Sequence, residues 1–147
     1  PRVRSVDCPF TGERLAAVPA INPDTTILHA QRADRKGNVA LVGIVGAQRE
    51  AAFAARALIV TVEEIVDELP PAMNGIVLPH WIVSAVAQCR GGAYPSYVHG
   101  HYARDNGFYQ RWDTIARERD SFLAWMRKHV MASRDHATFL ASLREVA

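Results

Sequence analysis

Short apolar runs separated by turn residues fill the first two-thirds of the chain, and large apolar side chains spaced by three, four and seven take over in the last third. The first pattern is that of strands and the second that of amphipathic helices. Leu15 to Val18 reads as a short strand stopped by Pro19, and Thr25 to His29 as a strand entered through the turn Asn22-Pro23-Asp24. Gly37-Asn38 then turns the chain into a strand over Val39 to Val42. Ala47 to Ala57 carries alanines at 51, 52, 54, 55 and 57 and predicts a helix whose small side chains pack closely on a sheet. Leu58 to Val62 follows as a strand. A helix between two strands usually makes a right-handed parallel crossover, so this strand is expected to run parallel to the one before the helix.

Pro70-Pro71 breaks the chain, and beyond it Ile76-Val77-Leu78 and Ile82 to Ala87 are apolar segments too short to type. From Asn106 the positions Phe108, Trp112, Ile115, Phe122, Trp125, Met126 and Val130 lie on one helical stripe. They predict one long helix or two abutting ones, with Asp105 as N-cap. Ser133 is placed to cap a last helix carrying Phe139, Leu140 and Leu143. The aromatic stripe reads as core packing, not as a partner surface. Together these elements give an α/β fold with a mostly parallel sheet over 1–105 and a helical C-terminal tail over 106–147.

Composition narrows the class. At 147 residues, 49% hydrophobic and 22% charged, the chain is long enough to build one substantial core. A net charge of +2, scattered and without a basic block, argues against nucleic acid. Arginine far outnumbers lysine, a bias read as that of the source genome. Cys8 and Cys89 stand far apart without metal spacing, which suits two reduced thiols in the cytoplasm. No apolar run approaches the ~20 residues of a membrane span, and no signal-like segment is seen. The chain begins at Pro1 and not at methionine, so it is expected to be part of a larger product.

Candidate chemistry gathers where apolar runs end. His29, Gln31, Arg32, Asp34 and Asn38 read as a ligand loop delivered by the Thr25 strand, with Arg32 able to make paired bonds to a carboxylate. The same residues also fit a tight turn, with His29 as a core histidine. Glu63 and Glu64 close the Leu58 strand and point to opposite faces, so one of them can be buried. A buried glutamate is a candidate base or nucleophile, or half of an ion pair. Gly43-Ile44-Val45-Gly46 lacks a phosphate-loop lysine and a dinucleotide fingerprint. The run Gly91 to Asp105 brings together Tyr94, Tyr97 and Tyr102 with His99, His101 and Ser96, a composition suited to the wall of an acyl or flat ligand. Ser96 has no nucleophile elbow around it, and no hydrolytic triad is read there.

Four of these segments, in order, resemble the alpha (A) chain of family I coenzyme A transferases, most closely the glutaconate CoA-transferase branch. They are Ala17 to Asp24, His29 to Asn38, Val62 to Asp67, and the Gly91 to Asn106 run with its Tyr-Ala-Arg-Asp-Asn ending. The resemblance implies an α/β fold, a partner beta (B) subunit, and transfer of CoA between carboxylates. In that chemistry a glutamate attacks an acyl-CoA thioester, forming a mixed anhydride and then a glutamyl-CoA thioester. The family's early Gly-Gly-Phe signature has no counterpart here, and the Ser-Glu-Asn-Gly motif holding the beta-subunit nucleophile is absent. The chain therefore resembles the C-terminal half of an alpha subunit, partnered by the CoA-transferase beta subunit and by the N-terminal part of the alpha subunit.

On this resemblance the chain holds no catalytic residue, no metal and no tightly bound cofactor, and the coenzyme A thioester is a substrate. His29, Arg32, Asn38, Glu63, Tyr97, Tyr102 and Arg104 are expected to line the acyl and carboxylate site or the interface between subunits. A CoA-thioester or ring-cleaving hydrolase on the same fold, and a non-catalytic assembly module, are the alternatives.

Overall fold

A computed structural model of the chain describes residues 2–71 and 74–144. Among these, seven strands are present: β1 (Arg4–Asp7), β2 (Arg14–Ala17), β3 (Thr25–Asp34), β4 (Val39–Val42), β5 (Ala57–Val66), β6 (Gly75–Leu78) and β7 (Ala85–Gln88). β1 and β2 form a separate exposed hairpin, while the other five build one sheet in the order β6-β4-β3-β5-β7. That sheet is mixed: β3 with β5 and β5 with β7 are parallel, and β3 with β4 and β4 with β6 are antiparallel.

Two expectations are corrected here. The Leu58 strand runs parallel to β3 and not to β4, the strand directly before the helix. The cause is the turn at Gly37, whose φ of 92° folds β4 back on β3 as a hairpin and leaves β5 to pair on the far side of β3. The second correction is length. β3 and β5 continue through polar residues where the sequence predicts a loop, because these side chains meet partners across the parallel ladder: His29 stands opposite Thr61 and Arg32 opposite Glu64. The ladder runs unbroken from Thr25–Ala57 to Ala30–Val62 and resumes at Arg32–Glu64. Burial changes phase at that break, Ala30 and Ala33 both being sealed in the core.

The core consists of Ala30, Ala33, Val39, Leu41, Ala52, Leu58, Val60, Val62 and Leu78. Helix α1 (Gln48–Ala54) contributes Ala52, and Thr26 Oγ1 donates to the carbonyl of Ala51 at 3.0 Å, fixing the helix against β3. The untyped apolar segments resolve into β6, a 3-10 turn over His80–Ile82, and β7.

The C-terminal part is helical. α2 (Asn106–Arg117) starts at Asp105, whose carboxylate accepts the Phe108 N–H at 2.8 Å as a capping residue should. An extended residue, Glu118, separates it from α3 (Arg119–Trp125), which passes into a π-helical turn over Met126–Met131. Phe108, Trp112, Phe122 and Trp125 pack ring on ring at centroid distances of 4.9 to 6.3 Å. α4 (His136–Arg144) is capped by Asp135, which accepts the Thr138 N–H at 2.8 Å. The expected cap Ser133 instead donates to the His129 carbonyl at 2.6 Å. The tail touches the sheet part through His136, hydrogen-bonded to the Arg90 carbonyl. No helix among the described residues is long and apolar enough to cross a membrane.

Candidate functional site

Glu63 is the organising residue. It sits in the second half of β5 at 4% exposure, and both of its carboxylate oxygens are engaged. Oε1 accepts from His29 Nε2 at 2.6 Å and from the Tyr102 hydroxyl at 2.8 Å, while Oε2 accepts from the backbone N–H of Gly91 at 2.8 Å. Burial pushes its acidity toward the neutral form, but the Gly91 N–H, the Tyr102 hydroxyl and His29 outweigh that and hold the carboxyl below the usual carboxylate range. Tyr102 responds in the opposite sense: burial, and then the bond to Glu63, raise its hydroxyl far above the ordinary phenol value.

The network reaches outward from both donors. His29 Nδ1 lies 2.8 Å from Thr61 Oγ1, and the Thr61 hydroxyl is 3.3 Å from the Leu28 carbonyl. Tyr102 also accepts the Ala93 N–H at 3.0 Å, so one phenol ties both ends of the loop to β5. The glycines at 91 and 92 have steric reasons. Gly91 adopts a φ of +77°, and a Cβ on Gly92 would stand 2.6 Å from the His29 ring. The loop therefore lies directly on the imidazole. Within the loop, Val98 and Tyr102 pair as an isolated antiparallel bridge.

Between this loop and the sheet opens a cleft of about 360 Å³, lined by His29, Gln31, Ser96, Tyr97 and His99 on its polar side and by Ile27, Leu28, Ile44 and Val45 among its apolar residues. Gln31 is fixed by two bonds to Val42, donating to its carbonyl at 3.0 Å and accepting its N–H at 2.9 Å, in the manner of an extra ladder rung. His99 also borders a second cleft of about 300 Å³ with Gln31, Arg32, Asn74 and His101. Arg32 Nε binds Glu64 Oε2 at 2.8 Å, and in this half-exposed pair that bond is the chief cause that holds the Glu64 carboxyl below the usual carboxylate range.

The seven residues that the sequence singles out thus separate into five places. His29 and Tyr97 line the first cleft and Arg32 the second. Glu63 and Tyr102 lie behind the wall as its fastening. Asn38 belongs to the β3–β4 turn: its amide donates to Asp34 at 2.7 Å and its carbonyl oxygen accepts the His80 N–H at 2.9 Å, beside a different hollow with Asp34, Lys36 and Asp67. Arg104 stands 4.0 Å over the Tyr109 ring at the start of α2 and borders neither cleft. His29 and Glu63 are thus joined directly, while Arg32, Asn38 and Arg104 stand apart from that pair. Thr61 and the Gly91 N–H are site members that the sequence reading misses. The Gly-Gly pair and the in-register position of Thr61 opposite His29 are the signals that point to them.

Residues 6–88 match the family model described as coenzyme A transferase. The chain is 56% identical over 145 residues to the A subunit of the 3-oxoadipate CoA-transferase of Pseudomonas knackmussii, covering 99% of this chain and 51% of that protein. The crystal structure of glutaconate coenzyme A-transferase from Acidaminococcus fermentans superposes with a TM-score of 0.87 at 34% identity, covering 97% of this chain and 46% of that one. A cholesterol ring-cleaving hydrolase subunit of Rhodococcus jostii is 25% identical over 145 residues, 90% of this chain and 48% of that protein. The chain spans about half the length of the curated relatives it matches.

Proposed function

Because this chain belongs to the coenzyme A transferase family, we propose that it forms the C-terminal part of the alpha subunit of a heteromeric CoA-transferase. Such an enzyme exchanges CoA between an acyl-CoA and a carboxylic acid. In this reading a glutamate of the partner beta subunit attacks the thioester carbonyl and CoA thiolate leaves, giving a mixed anhydride. The thiolate then attacks the glutamyl carbonyl, a carboxylate departs, and the acceptor acid reverses the sequence. Residues 1–105 act as part of the α/β domain and 106–147 as a helical tail packed on it. The two free cysteines suit a reducing cytoplasm.

The observation that carries this division of labour is the state of Glu63. An attacking carboxylate needs an oxygen with a free lone pair facing substrate, and Glu63 is buried with three donors on its two oxygens. Glu64 is turned to Arg32. The chain's own contribution is a wall: Ser96, Tyr97 and His99 line the same cleft as His29 and Gln31, and side chains with hydroxyl and imidazole groups suit the oxygens of an acyl group or carboxylate.

The test is to incubate the assembled heteromer with acyl-CoA, reduce with borohydride, and locate the converted glutamate by peptide mass spectrometry. A converted residue on the beta subunit and none on this chain is expected, with no turnover by the chain alone. Conversion at Glu63 or Glu64 would overturn the assignment. Release of free CoA at the same rate with and without an acceptor acid would replace transfer by hydrolysis.

A further inference from the structure

The helical part borders a further cavity, of about 350 Å³, that the cleft chemistry does not use. Its volume lies at the small end of the ~300–1,000 Å³ typical of ligand pockets. Phe108, Ile115, Trp125 and Leu143 supply its apolar walls, and Arg111, Lys128 and His129 its polar groups.

His129 is 4% exposed, and its protonation can be worked out from its neighbours. Ser142 Oγ donates to the Phe139 carbonyl at 2.8 Å, so in its 3.1 Å contact with His129 it accepts, and the ring carries its proton on Nδ1. Burial, helped by the nearby Lys128 charge, holds the imidazole below its ordinary value and so neutral near pH 7. Nε2 is then a bare acceptor. It has no partner in the described residues, and no fully buried side-chain nitrogen or oxygen among them is left without one. Nε2 must therefore reach open space, and the space that His129 lines is this cavity.

The cations are likewise uncommitted. Neither Arg111 nor Lys128 makes an ion pair within 4.0 Å among the described residues. Asp105, whose carboxyl feels the Arg111 charge, is already held by the Tyr94 hydroxyl and the Phe108 N–H. A cavity with apolar and aromatic walls, one buried acceptor and two cations outside any ion pair suits a guest that joins an aromatic ring, a hydrogen-bond donor and an anion.

We propose that this cavity binds a small aromatic carboxylate carrying a hydroxyl group remote from the acid. The ring lies among Phe108, Ile115, Trp125 and Leu143, the hydroxyl donates to His129 Nε2, and the carboxylate meets Arg111 and Lys128. The site stands apart from the cleft, and its test is independent of the transfer reaction. Titration calorimetry is run with 3-(4-hydroxyphenyl)propanoate on the full chain and on the assembled heteromer. Saturable one-to-one binding to both is expected, weakened by about tenfold or more for 3-phenylpropanoate, which lacks the donor, and for 4-ethylphenol, which lacks the acid. R111Q and K128Q, neither of them at a buried position, should weaken the hydroxy acid by a similar factor and leave 4-ethylphenol unchanged. Absence of saturable binding, equal affinity for all three compounds, or indifference to both substitutions would overturn the site. Binding to the free chain that vanishes in the heteromer would also overturn it and reassign the cavity to a contact between subunits.

Discussion

Replacing Glu63 by leucine removes an ionised acceptor from three donors at once while keeping most of the side-chain volume. Two donors have some freedom: His29 can carry its proton on the other nitrogen, and the Tyr102 hydroxyl can rotate about its ring. The Gly91 N–H is fixed by the backbone and has no such recourse. Bonds to charged acceptors contribute roughly 1.5–3 kcal/mol each, and breaking a buried charged contact by deleting one partner costs about 3–5 kcal/mol. At 4% exposure, solvent offers Glu63 and its donors little compensation, so E63L is expected to lose about 4 kcal/mol. E63Q keeps one oxygen for Gly91 and turns its amide toward His29 and Tyr102, and should lose about 1–2 kcal/mol. Urea unfolding followed by circular dichroism reads the difference: with a slope of about 2 kcal/mol per molar, the E63L midpoint falls by about 2 M. The pH dependence gives a sign. The folded carboxyl lies below its unfolded value, so its stabilising effect is complete above about pH 5 and is lost as pH falls through the folded value. The gap between wild type and E63Q should therefore hold from pH 7 to about 5 and narrow below about 4. Midpoints for both variants within about 0.3 M of wild type, or a gap unchanged down to pH 3, would refute the clamp.

Gly92→Ala should lower the melting temperature, because its methyl would stand 2.6 Å from the His29 ring and force the loop or the imidazole aside, at about 1–3 kcal/mol; an unchanged melting curve would show that the loop yields without cost. Arg32→Ala and Glu64→Ala, combined in a double-mutant cycle, should give a coupling of no more than about 1 kcal/mol that fades at high salt, since both side chains are over 40% exposed; a salt-independent coupling above about 2 kcal/mol would mean the pair is shielded in a way the fold does not account for.

Most of the fold was legible because strands with one partner type leave a period. Thr25 to His29, Val39 to Val42 and Leu58 to Val62 lie inside β3, β4 and β5, and Asp105 caps α2 as its spacing indicates. What could not be read was where those strands stop. Polar residues end an apolar run in the sequence, but Arg32 and Glu64 stay in the ladder because they neutralise each other across it, and pairing is invisible until the register is known. The direction of β5 escapes for a related reason: the hairpin at Gly37 is visible in the sequence, yet its effect on which strand β5 joins is a property of the sheet and not of the segment. At the site, burial of one glutamate of the pair follows from alternation, and Glu63 is that residue. Its partners were not identifiable, since His29, Gly91 and Tyr102 come from a strand and the two ends of a loop.

Those separations bear on how the molecule reaches its native state. The donors of Glu63 lie 34, 28 and 39 positions away along the chain, so none can be recruited by a local turn. Closing such long segments is entropically slow, and the parallel pairing of β3 with β5 must come first because it brings His29 beside Glu63. The loop from Gly91 to Tyr102 can settle only on a sheet that already exists. Its contacts are then expected to form after the folding transition state, so that loosening the clamp raises the rate of unfolding and leaves the rate of folding nearly unchanged: a latch on the finished sheet.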